Sequence, residues 1–140
     1  RGQYKAAVEH YLILNKSNPN NLLVLNNLAW SLFESKDNRA LGFAEQALKL
    51  KPDNPAVMDT LGWILVQQGQ IERGIKLLQQ ALSKAPDAAE IQFHLASAFA
   101  QSGDPTRAQS ELNRLLASGA AFPQEPEARA LLKQLQGKTR

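Results

Sequence analysis

A chain of 140 residues, 44% apolar and 21% charged, has room for one domain with a continuous core and an ordinary composition for building it. The formal charge of +3 is spread over sixteen basic and thirteen acidic residues with no basic run, and no helix face interleaves Lys and Arg with aromatics, which argues against nucleic acid as a partner. The lack of cysteine excludes disulfides and thiolate metal sites, and no stretch reaches the ~18 apolar residues that membrane insertion needs.

The first expected element is a helix carrying Tyr4, Ala7, Val8, Tyr11 and Leu12 at helical spacing, ahead of Pro19. It begins at Arg1 rather than Met, with no preceding helix to pack on. The chain therefore reads as a piece cut from a longer array, with any targeting segment upstream. Tyr4, Val8 and Leu12 are expected to lack their partner helix and to bury themselves against a neighbouring molecule at high concentration, so self-association through this helix is expected.

Three helix pairs follow at a fixed period. Pro19, Pro52 and Pro86 stand 33 and 34 residues apart, Leu28, Leu61 and Leu95 repeat both intervals, and Trp30 and Trp63 are again 33 apart. In the middle period Met58, Leu61 and Leu65, then Ile75, Leu78 and Leu82, fall at helical spacing. Gly69 between them suits the left-handed residue that ends a helix. Gly62 and Gly74 lie inside the two helices, where each costs about 1 kcal/mol against alanine. Small residues recur at both places, as Ala29, Gly62 and Ala96 on the first helix and as Ala7, Ala40, Gly74 and Ala108 on the second. Two backbones too close for a larger side chain are the expectation. The first period is one residue short, and the gap falls at Lys36-Asp37-Asn38.

After Gly119 and a loop with Pro123, a last helix is expected from about Pro126, with Glu125 and Glu127 at the positive end of its dipole. Ala128, Leu131, Leu132 and Leu135 form one apolar stripe, as a terminal cap requires.

These residues resemble the tetratricopeptide repeat family, with its pattern W-x-x-L-G-x-x-Y, A-x-x-x-F, A and P. The middle copy reads Met58, Leu61, Gly62, Leu65, Gly74, Leu78, Ala81 and Pro86 at those places. The first reads Leu25, Leu28, Ala29, Leu32, Ala40, Ala44, Ala47 and Pro52, and the third Gln92, Leu95, Ala96, Phe99, Ala108 and Leu112. The third departs from the pattern with Leu115 where a small residue is usual, a seam that hinders a further repeat from docking. The resemblance implies an all-α, right-handed superhelical α-solenoid of tetratricopeptide helical hairpins. It divides the chain into 2–19 (the second half of a repeat), 21–52, 54–86 and 88–119, with a C-terminal capping helix at 125–136.

It also implies a concave groove lined by the first helix of each hairpin. The positions carried over are Leu23, Asn26, Asn27, Trp30, Phe33 and Glu34; then Ala56, Asp59, Thr60, Trp63, Val66 and Gln67; then Glu90, Phe93, His94, Ser97, Ala100 and Gln101. Trp30 and Trp63 each follow the small packing residue, so they cannot share the inward direction of Leu28 and Leu61. Either the indoles pack on the next repeat, or with Phe33 and Phe93 they form an aromatic ladder for a peptide or an amphipathic helix. Asn26, Asn27, Asp59 and Thr60 are expected to supply polar contacts to a partner backbone. No basic pair stands in the groove, which argues against capture of an acidic chain terminus.

No catalytic site, metal site or cofactor is expected. His10 and His94 are the only histidines and lie on different repeats, and no nucleophile, base and orienting group converge in the sequence. Gly137-Lys138-Thr139 lacks the upstream glycine of a phosphate loop, and Asn15-Lys16-Ser17 is a common triplet. The expected role is a non-catalytic scaffold that binds a protein or peptide. The runs Asn26-Asn27-Leu28-Ala29-Trp30 and Asp59-Thr60-Leu61-Gly62-Trp63, and the tail from Leu115, are further similar to the large bacterial tetratricopeptide lipoproteins of PEP-CTERM/exosortase sorting systems. That similarity implies exopolysaccharide-linked export on the periplasmic side, with a lipid anchor elsewhere in the protein. The alternatives are a glycan-binding module that uses the two indoles and a passive spacer or cap.

Overall fold

The computed structural model describes residues 2–138, so Arg1 and Thr139 of the Gly137-Lys138-Thr139 triplet lie outside the described residues. Among these the regular structure is helical: α1 (Gly2–Ser17), α2 (Leu22–Glu34), α3 (Ala40–Leu50), α4 (Pro55–Gln67), α5 (Ile71–Lys84), α6 (Ala89–Gln101), α7 (Pro105–Ala117) and α8 (Glu125–Lys138).

The helix starts have local causes. The side chains of Asn21, Asn54 and Asp104 accept hydrogen bonds from the backbone N–H groups of Val24, Val57 and Arg107 at 3.1, 3.2 and 3.1 Å. Pro55 and Pro105 sit in first turns, where a missing N–H breaks no helical bond. The ends of α2, α4 and α6 share one geometry, each closing on a left-handed residue: Lys36 (φ 60°), Gly69 (φ 93°) and Gly103 (φ 85°). In each case its N–H and the next bond back onto the last helical turn, to Phe33 and Leu32, Val66 and Leu65, and Ala100 and Phe99.

The short first period is absorbed just after Lys36. There Asp37 accepts from the backbone N–H and Nε of Arg39, both at 3.0 Å, and from Nη2 at 2.8 Å. These side-chain and backbone bonds hold its carboxyl down at about 2, from an ordinary 3.8. The turn is tied by a side chain, and α3 begins only at Ala40.

Each helix packs against the next, and α2 also touches α4, α4 touches α6, and α6 touches α8; among the described residues the backbones of α3 and α5, and of α5 and α7, stay apart, and the Arg73–Glu45 ion pair at 3.7 Å spans the first of these gaps. A stack whose first helices close up while its second helices splay must curve, with α2, α4, α6 and α8 on the inner side. Leu25, Leu28, Leu32, Leu61, Leu65, Leu78 and Leu112 are wholly enclosed between the rows.

The middle hairpin closes tightest. A Cβ on Gly74 would come 2.5 Å from Val66 Cγ2 and 2.6 Å from the Gly62 carbonyl oxygen, and one on Gly62 would lie 3.1 Å from the Gly74 carbonyl oxygen. The two glycines face each other, so their helical cost is offset by backbone approach. At the end of the stack α8 lays Ala128, Leu131, Leu132 and Leu135 against the core formed with α6 and α7, and Leu115 is buried.

The N-terminal helix departs from expectation. Val8 does not lack a partner: it is buried beside Leu28, Ala29 and Leu32, with Tyr11 and Leu12 packed at its margin. The uncovered apolar residues of α1 are Tyr4, Ile13 (68% exposed) and Leu14. The helix turns Val8, Tyr11 and Leu12 inward onto α2, the helix it touches among the described residues, and leaves Tyr4, Ile13 and Leu14 in solvent.

Candidate partner-binding groove

The inner row brings six expected site residues into one cluster. His94 on α6, only 4% exposed, places its Nδ1 2.7 Å from Oδ1 of Asp59 on α4. Its ring stacks on Trp63, with centroids 4.6 Å apart and planes at 21°. The same imidazole meets Trp30 of α2 at 6.0 Å and 38°, and Phe93 at 6.2 Å. Trp30 in turn meets Phe33 at 5.7 Å. Both indoles are partly exposed, so each packs and still presents an edge to solvent.

The rings stand in one row whose central member is an imidazole. Among the described residues no ring contact joins Trp30 to Trp63 directly; His94 bridges them. His94 pairs with a carboxylate of the neighbouring repeat, and among the described residues no hydroxyl is hydrogen-bonded to its ring. The spacing of 35 between Asp59 and His94, one more than the period, was the signal available in the sequence.

Four expected groove residues are buried. Val66 is 2% exposed and belongs to the core, pressed against Gly74 by close approach of the second helix. Thr60 is 5% exposed, and its hydroxyl donates to the Ala56 carbonyl at 3.0 Å, so it offers no donor to a partner backbone. His94 and Ser97 are buried on α6. Asn26 and Asn27 are partly exposed, and Asn26 Oδ1 is enclosed with no donor.

Trp63, Phe93 and Ser97 line a cleft of about 370 Å³ whose far wall is Leu131, Gln134 and Leu135 of α8. The last helix therefore caps the stack and also builds the groove, a role its single stripe did not disclose. A second cleft, of about 500 Å³, opens at the N-terminal ends of α4 and α6, between Asp59, Asp87, Glu90 and Phe122. Among the described residues no group of three His, Asp or Glu gathers as a metal site would require.

Residues 60–126 match the family model for the tetratricopeptide repeat. A TPR repeat-containing protein of Pseudomonas aeruginosa, PA4667, is 37% identical over 79 residues, covering 55% of this chain but only 13% of that protein. The chain thus spans about an eighth of the length of this relative. Among solved structures, TTC0263, a thermophilic TPR protein of Thermus thermophilus, superposes with a TM-score of 0.81 at 23% identity, covering 99% of this chain and 75% of that one. MamA does so at 0.77 and 18% identity, covering 99% and 80%. YrrB, described as a TPR protein with an unusual peptide-binding site, does so at 0.71 and 15%, covering 83% and 60%. Residues 60–126 thus match the tetratricopeptide repeat model, and the described residues share the all-α solenoid of helical hairpins seen in these TPR structures, with α8 packed against the last hairpin.

Proposed function

We propose that the protein is a non-catalytic scaffold that holds a peptide or helical segment of a partner against α2, α4, α6 and α8. The observation that carries this is the Trp30–His94–Trp63 cluster, which draws one aromatic from each of three successive inner helices and leaves both indoles partly open. Tryptophan contributes most where a pocket wall is rigid, and the His94–Asp59 bond makes this wall rigid. Titration with pooled random 12-residue peptides, following indole fluorescence, is expected to shift the emission of Trp30 and Trp63. A flat response sends the function to a passive spacer or cap.

Glycan binding is the second reading. It is weakened because His94 occupies one face of Trp63, the face a sugar would need for two-sided stacking. Soluble polysaccharide in the same titration separates the two. A role in exopolysaccharide-linked sorting, with a periplasmic, lipid-anchored parent protein, rests on the resemblance of the Asn26–Trp30 and Asp59–Trp63 runs. It is tested by sequencing the parent gene for an export signal and lipid-attachment cysteine.

Self-association, if the isolated chain shows it, should run through Tyr4, Ile13 and Leu14. Sedimentation across a concentration series, repeated with Ile13→Glu, tests this.

A further inference from the structure

We propose that the segment this groove accepts is cationic: an extended peptide that sets a lysine or arginine beside Asp59 and Glu90 and a bulky apolar side chain against Trp63 and Phe93. The inference rests on the groove being a peptide site, and it names the chemistry of the occupant.

The charges of the chain are segregated. It carries sixteen basic residues, yet α2, α4 and α6 contain none; the charged residues on these helices are Glu34, Asp59 and Glu90. Outside α2, α4 and α6, Asp37, Glu45, Asp53, Asp104, Glu111 and Glu125 each pair with an arginine or lysine, while among the described residues no ion pair holds Glu9, Glu72, Asp87 or Glu127. Among the described residues Glu34 and Glu90 have no ion-pair partner, and Asp59 has only the imidazole of His94. A chain of net charge +3 thus carries no lysine or arginine on α2, α4 or α6; on the inner side these stand on α8, as Arg129, Lys133 and Lys138. Beyond about 8 Å the outer positive charge is screened at physiological salt, so the local carboxylates decide what binds.

The two clefts order these preferences along the groove. One gathers Asp59, Asp87 and Glu90; the other, lined by Trp63, Phe93, Leu131 and Leu135, has no charged residue. Along α4 they are centred about eight residues apart, a rise of about 12 Å. An extended peptide covers that distance in about three to four residues. The expected motif is therefore a basic residue and a large apolar residue separated by that interval.

Selection of a random 12-residue peptide display library on the immobilised chain tests the proposal. Lysine and arginine should be enriched several-fold over aspartate and glutamate, with a bulky apolar residue three or four places away. A synthetic peptide from the selection should bind about tenfold more weakly at high salt. It should lose about fivefold with Glu90→Gln, which is exposed and leaves the core untouched, and keep its affinity with Lys76→Gln on the outer row. Binders without charge bias, or enriched in acids, overturn the cationic preference while leaving the groove a peptide site. Recovery of no binders overturns both.

Discussion

Nδ1 of His94 and Oδ1 of Asp59 lie 2.7 Å apart, joining α6 to α4 across the boundary between two repeats. The bond sits beneath the stacked Trp63 ring, so a polar tie and an aromatic contact hold the same pair of helices. Repeat arrays draw much of their stability from such nearest-neighbour interfaces.

His94→Ala removes the ring contacts and strands a mostly buried carboxylate. A loss of about 2–3 kcal/mol in urea unfolding is expected. His94→Phe keeps the stacking and should lose about 1–2 kcal/mol. If His94→Ala stays within about 0.5 kcal/mol of the parent, the tie contributes nothing to the stack.

Two glycines should respond in opposite directions to alanine. At Gly42, on an open face of α3, nothing lies within 4 Å of the added Cβ. Helix propensity then stabilises the chain by about 0.5–1 kcal/mol. At Gly74 the same methyl meets Val66 Cγ2 at 2.5 Å and the Gly62 carbonyl at 2.6 Å, and a backbone carbonyl cannot rotate away. A net loss of about 2–4 kcal/mol is expected, read from denaturation midpoints.

Lys36→Gly should stabilise by about 0.5–1 kcal/mol, because a lysine now holds the left-handed geometry that Gly69 and Gly103 hold without a Cβ. Thermal melts of the single variant measure it. An unchanged or lower midpoint would mean that the strain is relieved elsewhere.

The Asp37–Arg39 tie is expected to respond to acid. Asp37 has a folded value of about 2 against an ordinary 3.8, so the folded state favours its charged form. Its stabilisation is complete above about pH 4 and is lost as pH falls through about 2. The stability difference between the parent and Asp37→Asn should therefore close over that window. A difference that persists at pH 2 would assign the effect to packing rather than to charge.

Spacing alone made most of the architecture legible. Leu28, Leu61 and Leu95, with the small residues Ala29, Gly62 and Ala96 beside them, encode the hairpin because each position meets the same neighbours in every copy. The placement of Trp30 and Trp63 off the inward stripe was legible for the same reason. The fate of Val66 was not: helical phase puts it beside the groove, but how far the second helix overhangs it depends on the depth to which Gly62 and Gly74 let the helices sink together.

The sequence by itself determined that paired helices recur, where each starts and turns, and that α2, α4 and α6 carry carboxylates without lysine or arginine. These follow from short-range chemistry: caps, left-handed closures and apolar period act within one or two turns. Only the tertiary structure decided that His94 bridges the two indoles and ties Asp59, that α8 walls the groove as well as capping it, and that α1 turns Val8 inward. Such pairings join residues from different repeats or from outside them, and their distances depend on the curvature of the whole stack, which no local pattern encodes.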